Sequence, residues 1–202
     1  MHRIQSDTRG VREYDLIADW FPTDRGRVVG VAEALSVAAT LPAHSLILDV
    51  GCGNGVPVSE ALVNAGYRVI GLESSARMLD HFRADVQGAF IIHGDARRCP
   101  FVSGVFDAAI SMGMLFHLTP TDQALAFASV SRVLKPGAPF LFTGAEIEDA
   151  DDAGITGTMN GVTFHYYAVR SYRMLAAEHG LKLVDVRDDP GVATYYLSRK
   201  SP

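Results

Sequence analysis

The chain has 202 residues, of which 48% are apolar and 20% charged, a composition that suits one domain with a sizeable core. The net charge is −5 and no segment is rich in Lys or Arg, which argues against a nucleic-acid substrate. Cys52 and Cys99 form neither a disulfide framework nor a zinc motif, and no run of about 20 apolar residues is present, so we expect a cytoplasmic protein without a membrane segment.

Strand-like and helix-like segments alternate along most of the chain. Two helices are expected over residues 11–40, before the first strand. The predicted strands and helices that follow, in chain order, are 45–50 (strand), 56–66 (helix), 67–73 (strand), 74–86 (helix), 88–95 and 105–112 (strands), 119–137 (helix) and 138–144 (strand). A last helix over 168–179 precedes two antiparallel strands joined around Pro190 and Gly191. This alternation predicts an α/β, Rossmann-like doubly wound sheet, mostly parallel, in a three-layer α/β/α arrangement.

Residues 145–167 interrupt the alternation. They form a long, partly acidic, glycine-containing connection, and a connection of this length is often a lid or binding element. We therefore expect a substrate-side loop or lid within a single domain that spans 1–202. The segment holds several acids, namely Glu146, Glu148, Asp149, Asp151 and Asp152. Consecutive acids in a loop are usually solvated, and no wider ligand set is visible, so no metal is predicted.

The stretch from Asp49 to Gly55, DVGCGNG, follows the first buried strand and is the main functional signal. In open α/β sheets, ligands bind beyond the carboxyl ends of the strands. Eighteen residues after Gly55 the second strand ends in Glu73, an acid that can accept hydrogen bonds from both hydroxyls of a ribose. A dinucleotide loop needs a third glycine where Val56 stands, and Asp49 would repel a pyrophosphate but favour a sulfonium. The pattern therefore favours S-adenosylmethionine over NAD, and an oxidoreductase is the disfavoured alternative.

Several ordered motifs resemble those of the class I S-adenosylmethionine-dependent methyltransferases, of the type that acts on small molecules. The resemblance covers about residues 45–200. Its motifs are ILDVGCGNG (47–55), VIGLESSARML (69–79), GDARRCPF (94–101), FDAAISMGMLFHL (106–118) and RVLKPGAPFLFTG (132–144). The resemblance implies a seven-stranded sheet whose last strand is antiparallel, with S-adenosylmethionine as cofactor and S-adenosylhomocysteine as product.

The resemblance also implies a set of cofactor-binding residues. Glu73 would bind the ribose, and Asp95 would recognise the adenine amino group with the backbone of Ala96. Residues 11–40 would form a helical cap, in which Tyr14 and Trp20 either line the pocket or only pack the helix. The full set is Asp49, Gly51, Cys52, Gly53, Glu73, Ser74, Asp95, Ala96, Met112, Tyr14 and Trp20.

Methyl transfer is an in-line displacement in which the protein mainly positions the acceptor, and a base is needed only when the acceptor must lose a proton. His117 is the candidate base, with a packing role as the alternative. His165, Tyr166 and Tyr167 are candidates for orienting the acceptor. We expect a small-molecule acceptor and no nucleic acid or membrane partner. A non-catalytic protein that binds S-adenosylmethionine or S-adenosylhomocysteine is the second hypothesis.

Overall fold

The computed structural model describes residues 29–144, 155–159, 162–166, 169–189 and 193–202. The α-helices within these ranges are α1 (Val31–Ala38), α2 (Val58–Asn64), α3 (Ala76–Asp85), α4 (Pro120–Val133) and α5 (Val169–Glu178). The strands are β1 (Leu46–Val50), β2 (Arg68–Glu73), β3 (Phe90–His93), β4 (Ala108–Ser111), β5 (Pro139–Gly144), β6 (Ile155–Met159), β7 (Val162–Tyr166), β8 (Leu181–Asp189) and β9 (Ala193–Lys200). Short 3-10 turns cover Ala96–Arg98 and Leu115–His117.

Seven strands form one twisted sheet in the order β3-β2-β1-β4-β5-β9-β8. The first five strands are parallel to one another, and β9 is antiparallel to both of its neighbours. The predicted α/β class and the antiparallel last strand are therefore confirmed. The strand order reverses between β1 and β4, which is where this kind of sheet opens a ligand crevice at the carboxyl ends of its strands.

Apolar side chains cover both faces of the central strands. Every residue of β4 and β5 is buried, as expected for strands that carry helices on both faces. One face packs an aromatic cluster against α4 and α5, in which Phe142 stacks on Tyr196 with the ring centroids 5.1 Å apart. The other face packs α1 and α2 against residues such as Ile47 and Val69. The two cores hold the central strands rigid beneath the crevice.

The helix starts agree with the caps that the sequence contains. The Ser75 hydroxyl accepts a hydrogen bond from the Met78 N–H at 3.2 Å, and the Thr119 hydroxyl accepts one from the Asp122 N–H at 3.3 Å. Pro120 occupies the first turn of α4, where its missing N–H costs nothing. The observed helices and strands are a few residues shorter than the predicted ones, because caps and strand ends are included in a sequence pattern.

The 145–167 connection contains more regular structure than we expected. Strands β6 and β7 form an antiparallel two-stranded sheet, with Ile155 opposite Tyr166 and Met159 opposite Val162. Asn160 and Gly161 stand between the two strands, and Asn-Gly is a strong hairpin signal that our interpretation of this segment as a loop overlooked. Its role on the substrate side stays a prediction.

Part of the predicted N-terminal cap lies within the described residues. Helix α1 covers Val31–Ala38 and buries Ala34, Val37 and Ala38 against the sheet. Residues 11–28 of the predicted cap lie outside the described residues. Among the helices that the structure describes, none combines the length and the apolar character needed to cross a bilayer.

Candidate functional site

The loops that follow β1, β2 and β4 meet in one crevice. The Gly51 N–H donates to the Leu72 carbonyl at 2.8 Å, which ties the glycine loop to the end of β2. The Gly113 N–H donates to the Thr143 hydroxyl at 2.7 Å, which ties the loop after β4 to the end of β5. Thr143 was not predicted from the sequence, because a buried threonine at a strand end carries no functional signal by itself. These bonds fix the crevice at the point where the strand order reverses.

The three glycines of the DVGCGNG loop have positive φ angles but different surroundings. The angles are +68° at Gly51, +55° at Gly53 and +78° at Gly55. A Cβ added to Gly51 would lie 2.3 Å from Met114 Cγ, and one added to Gly55 would lie 2.4 Å from Phe82 Cε2. A Cβ on Gly53 would meet nothing within 4 Å. Two of the glycines therefore make room for protein side chains, and Gly53 borders open space.

Glu73 connects the end of β2 to the glycine loop. Its side chain is buried, with 8% of the residue exposed. Oε2 accepts a hydrogen bond from the Gly53 N–H at 3.0 Å. Oε1 accepts from the N–H groups of Ser74 at 2.7 Å and Ser75 at 2.8 Å, and from the Ser74 hydroxyl at 3.3 Å. Glu73 thus ends β2 and holds the glycine loop through its carboxylate, and the cofactor-binding role of Glu73 and Ser74 stays a prediction.

Asp49 and Cys52 lie beneath the loop. Asp49 is 3% exposed and accepts a hydrogen bond from the Ser59 hydroxyl of α2 at 2.7 Å, so it anchors that helix to β1. Cys52 Sγ packs over Gly71, where an added Cβ would lie 2.7 Å from it. Burial raises the pKa of the Cys52 thiol, and the charges of Asp49 and Glu73 raise it further. The thiol therefore stays protonated and is a poor nucleophile.

Asp95 follows β3 and caps the 3-10 turn that contains Ala96. Burial by itself would raise the pKa of Asp95, but the hydrogen bonds and charge of Arg97 outweigh burial and lower it. The hydrogen bonds from Arg97 to Asp95 in turn raise the pKa of the guanidinium. Asp95 is thus an ionised acceptor at neutral pH. Arg97 had no predicted role, because an arginine two residues after a capping acid has no distinctive sequence pattern.

The loop after β4 contacts the β6–β7 hairpin. His117 Nδ1 lies 3.1 Å from the Thr163 carbonyl oxygen, and a carbonyl only accepts, so Nδ1 carries the proton. Any base function of a neutral His117 would therefore fall to Nε2. Gln123 Nε2 donates to the His165 carbonyl at 3.0 Å and to the Leu118 carbonyl at 3.1 Å. Gln123 was missed at the sequence level because a glutamine inside a helix has no distinctive pattern.

Tyr166 lies beside the turn that contains His117, whereas His165, its neighbour in β7, contacts the other strand of the hairpin. His165 Nδ1 lies 2.9 Å from the Thr156 hydroxyl, and the ring of Tyr166 lies 5.0 Å from that of Phe116. Burial raises the pKa of the Tyr166 phenol, so the phenol is neutral at physiological pH. Met112, 9% exposed, lies against α1, where a Cβ on Gly30 would be 3.1 Å from its sulfur.

Some predicted residues cannot be located in this site. Tyr14, Trp20 and Tyr167 lie outside the described residues, as do the acids between Glu146 and Asp152. Within the described part of the chain, no three His, Cys, Asp or Glu side chains are grouped as a metal site would require.

Comparison with known proteins agrees with this geometry. Residues 47–137 match the family described as "Methyltransferase domain". The fold also superposes on the 1,6-didemethyltoxoflavin-N1-methyltransferase of Burkholderia thailandensis, solved with S-adenosylhomocysteine, with a TM-score of 0.77 at 15% identity over 100% of this chain and 92% of that chain. The part of the chain that the family model matches, residues 47–137, is thus a methyltransferase domain, and the fold of the chain is shared with that solved methyltransferase. S-adenosylmethionine is the cofactor of this methyltransferase family.

Curated relatives of this methyltransferase match over part of their length. The tRNA (carboxymethyluridine(34)-5-O)-methyltransferase alkbh8 of Xenopus tropicalis is 36% identical over 104 residues, which are 51% of this chain and 16% of that protein. The uncharacterized methyltransferase sll0829 of a Synechocystis species is 34% identical over 94 residues, 46% of this chain and 44% of that protein. The chain therefore spans less than half of each of these two relatives.

Proposed function

We propose that this methyltransferase transfers a methyl group from S-adenosylmethionine to a small-molecule acceptor. One observation carries the proposal: Glu73 holds the Gly53 N–H in the crevice where the strand order reverses, and Gly53 borders open space. A buried carboxylate beside an open glycine suits a ligand that brings hydroxyl donors close to the main chain.

The residues of the crevice fit the nucleoside part of the cofactor. Among the described contacts, Glu73 Oε2 accepts only from the Gly53 N–H, and a carboxylate oxygen can accept two hydrogen bonds, so a ribose hydroxyl has a free acceptor site there. Asp95 supplies an ionised acceptor for the adenine amino group. A ribose-binding acid such as Glu73 is common to S-adenosylmethionine and NAD sites, but Asp49 beneath the loop would repel a pyrophosphate, which disfavours NAD.

In this proposal the side chains of the protein mainly bind and position the reactants, and the cofactor supplies the reactive group. When bound, the cofactor supplies a methyl group on a sulfonium sulfur, which a nucleophile in line with that bond accepts. Phe116 and Tyr166, both half-buried, pack their rings together and present a neutral aromatic surface beside the turn that contains His117. His117 donates through Nδ1 to the hairpin, so a proton from an acidic acceptor would be held at Nε2. Positioning, rather than acid–base chemistry, is the larger contribution of the protein.

The small-molecule acceptor is supported by charge. The chain has 18 Lys and Arg residues against 23 Asp and Glu, and tRNA-binding surfaces need a cationic excess along the phosphate path. Relatives named as tRNA methyltransferases make tRNA the competing acceptor. Release of S-adenosylhomocysteine should be measured with panels of small carboxylic acids, phenols and amines, and in parallel with bulk tRNA. Turnover with tRNA alone would refute the small-molecule proposal.

The cofactor assignment is tested by calorimetric titration with S-adenosylmethionine, S-adenosylhomocysteine and NADH. We expect binding of the first two ligands and none of NADH. Glu73→Gln keeps one carbonyl oxygen for the Ser74 and Ser75 N–H groups, but it loses the charge and puts an amide NH2 where Oε2 accepts from the Gly53 N–H. It should weaken S-adenosylhomocysteine binding about tenfold or more, since a hydrogen bond to a charged group is worth about 1.5–3 kcal/mol.

Two further variants complete this test. Glu178→Gln, at the exposed end of α5, is the matched control and should bind like the wild type. Glu73→Ala is a poorer probe, because it also removes the acceptor of three backbone N–H groups and should lower stability. Unchanged affinity in Glu73→Gln would contradict the ribose assignment, and binding without turnover on any acceptor would favour a non-catalytic binding protein.

A further inference from the structure

Arg97 donates several hydrogen bonds to the Asp95 carboxylate. Its Nη2 lies 2.6 Å from Oδ2, and its Nε lies 3.0 Å from Oδ1 and 2.9 Å from Oδ2. The Arg97 backbone N–H also donates to Oδ1 at 2.8 Å. A two-point contact between a planar guanidinium and a carboxylate fixes the rotation of the carboxylate as well as its position.

Arg97 is itself held by α4. Its Nη1 lies 3.1 Å from Oδ2 of Asp122, in the first turn of that helix. The side chains of Arg97 and Asp122 are only 15% and 17% exposed, so water screens this ion pair poorly. One cation therefore lies between two carboxylates and links the turn after β3 to a helix that packs on the sheet.

Asp95 keeps room for one more donor. Its side chain is 42% exposed, whereas the arginine that holds it is mostly buried. A carboxylate offers about four acceptor sites. Oδ1 accepts from the Arg97 backbone, Oδ2 accepts from Nη2, and the single N–H of Nε is shared between them. These three N–H groups leave the carboxylate about one acceptor site for a neutral N–H group that approaches from solvent.

We propose that Arg97 is a positioning residue that orients Asp95 towards the 6-amino group of adenine, with Asp122 as its anchor on α4. The inference rests on the proposed function, in which Asp95 accepts a hydrogen bond from that amino group. Without the Arg97 side chain, Asp95 and Asp122 lose their shared cation, and among the described contacts only the backbone N–H of residue 97 still holds the Asp95 carboxylate. The adenine-specific part of cofactor affinity then falls, while the ribose contact at Glu73 persists.

The test compares two ligands on each variant. S-adenosylhomocysteine carries the 6-amino donor, and S-inosylhomocysteine carries a carbonyl oxygen in its place. The ratio of their dissociation constants reports the contact at position 6 and is insensitive to a general loss of folding. We expect a ratio of about ten or more in the wild type. Arg97→Ala should reduce the ratio by at least threefold, and Asp95→Asn should reduce it at least as much.

Three comparisons between variants distinguish the orientation of Asp95 by Arg97 from the effect of the Arg97 charge and from a general loss of protein stability. Arg97→Lys keeps the charge but loses the fork, so its ratio should lie near that of Arg97→Ala. Asp122→Asn should lower the ratio to a smaller extent. Arg83→Ala removes an exposed Arg–Asp pair on α3, with Arg83 60% exposed, and should leave the ratio unchanged. In a double-mutant cycle, Arg97→Ala in the Asp95→Asn background should have no further effect on the ratio.

The outcomes distinguish the two proposals. An Arg97→Ala protein that keeps the wild-type ratio, or weakens both ligands equally, overturns the positioning role. An Asp95→Asn protein with an unchanged ratio overturns it too, because Asp95 then does not contact position 6. If the wild-type protein binds neither ligand although its unfolding transition shows it to be folded, the proposed function itself fails and this inference falls with it.

Discussion

Gly51 and Gly53 of the glycine loop are glycines for different physical reasons. At Gly51, a positive φ and the 2.3 Å approach of Met114 Cγ to an added Cβ both demand the absence of a side chain. At Gly53 the φ angle is also positive, but an added Cβ meets no protein atom within 4 Å. The first position is thus constrained by packing, whereas the second is constrained by the space that the proposed ligand would occupy.

The two alanine variants should therefore behave differently. Gly51→Ala should lose about 2–5 kcal/mol of the free energy of unfolding, since a left-handed alanine costs about 1–2 kcal/mol and overpacking a further 1–3 kcal/mol. Gly53→Ala should lose only the left-handed part but bind S-adenosylhomocysteine at least tenfold more weakly. Urea unfolding and calorimetry on both proteins check this. Equal stability losses, or wild-type affinity in Gly53→Ala, would contradict this assignment.

At the scale of elements, the hairpin is attached to the sheet domain through the turn after β4 and the start of α4. His117 and Gln123 each meet a carbonyl of β7, at Thr163 and His165. Gln123 is fully buried, so its two N–H bonds are made away from water, where an unpaired carbonyl is costly. Among the described contacts, side chain to backbone bonds and the Phe116–Tyr166 ring contact, rather than strand pairing with the main sheet, thus hold the hairpin.

Gln123→Met tests this attachment with a side chain of similar volume. We expect faster hydrogen exchange in residues 162–166 and an overall stability loss of about 1–3 kcal/mol, because two carbonyls lose their donor. S-adenosylhomocysteine affinity should stay within twofold of the wild type. Gln87→Met, at an exposed glutamine after α3, is the matched control and should exchange normally. Unchanged exchange in β7 would show that other contacts hold the hairpin.

At the scale of the whole molecule, the contacts of Asp107 lie at the opposite end of the parallel strands from the proposed binding crevice. Asp107, just before β4, accepts the Leu46 N–H at 2.8 Å and lies 2.6 Å from Lys135 Nζ. Burial would raise the pKa of Asp107, but Lys135 and the Leu46 N–H together lower it below its usual range. The contacts of Asp107 join the starts of β1 and β4 to the end of α4, far from the glycine loop.

Asp107→Asn should therefore lower stability without changing cofactor binding. We expect a loss of about 1 kcal/mol at pH 7 in the free energy of unfolding, since Lys135 is half-exposed. A carboxyl whose folded pKa is lowered stabilises the fold above its unfolded pKa, near 3.8, and that contribution disappears as the pH falls through the folded value. The difference between variant and wild type should thus be constant from pH 5 to 8 and shrink below pH 3.8. A growing difference in acid would refute the assignment.

Local patterns in the sequence were sufficient for the sheet and for the main acids of the crevice. The helix caps at Ser75 and Thr119 depend on interactions within a few residues. The alternating apolar runs imply the parallel sheet, and this sheet puts the glycine loop and Glu73 at the same edge. The hairpin was missed although its Asn160–Gly161 signal is local, because acids and glycines in the same segment favoured a loop. The caps, the apolar runs and the glycine loop can be predicted from the sequence because propensity and burial act on neighbouring positions.

The tertiary structure alone decided which distant residues meet. Arg97 meets Asp122 across 25 positions, Gln123 meets His165 across 42, and Gly113 meets Thr143 across 30, and none of these pairs has a periodic signature. Such contacts arise when helices pack on a sheet and close a crevice, so they depend on three-dimensional distances that no local spacing encodes. The sequence by itself determined the fold and the kind of ligand, and packing determined how the acids of the crevice are held.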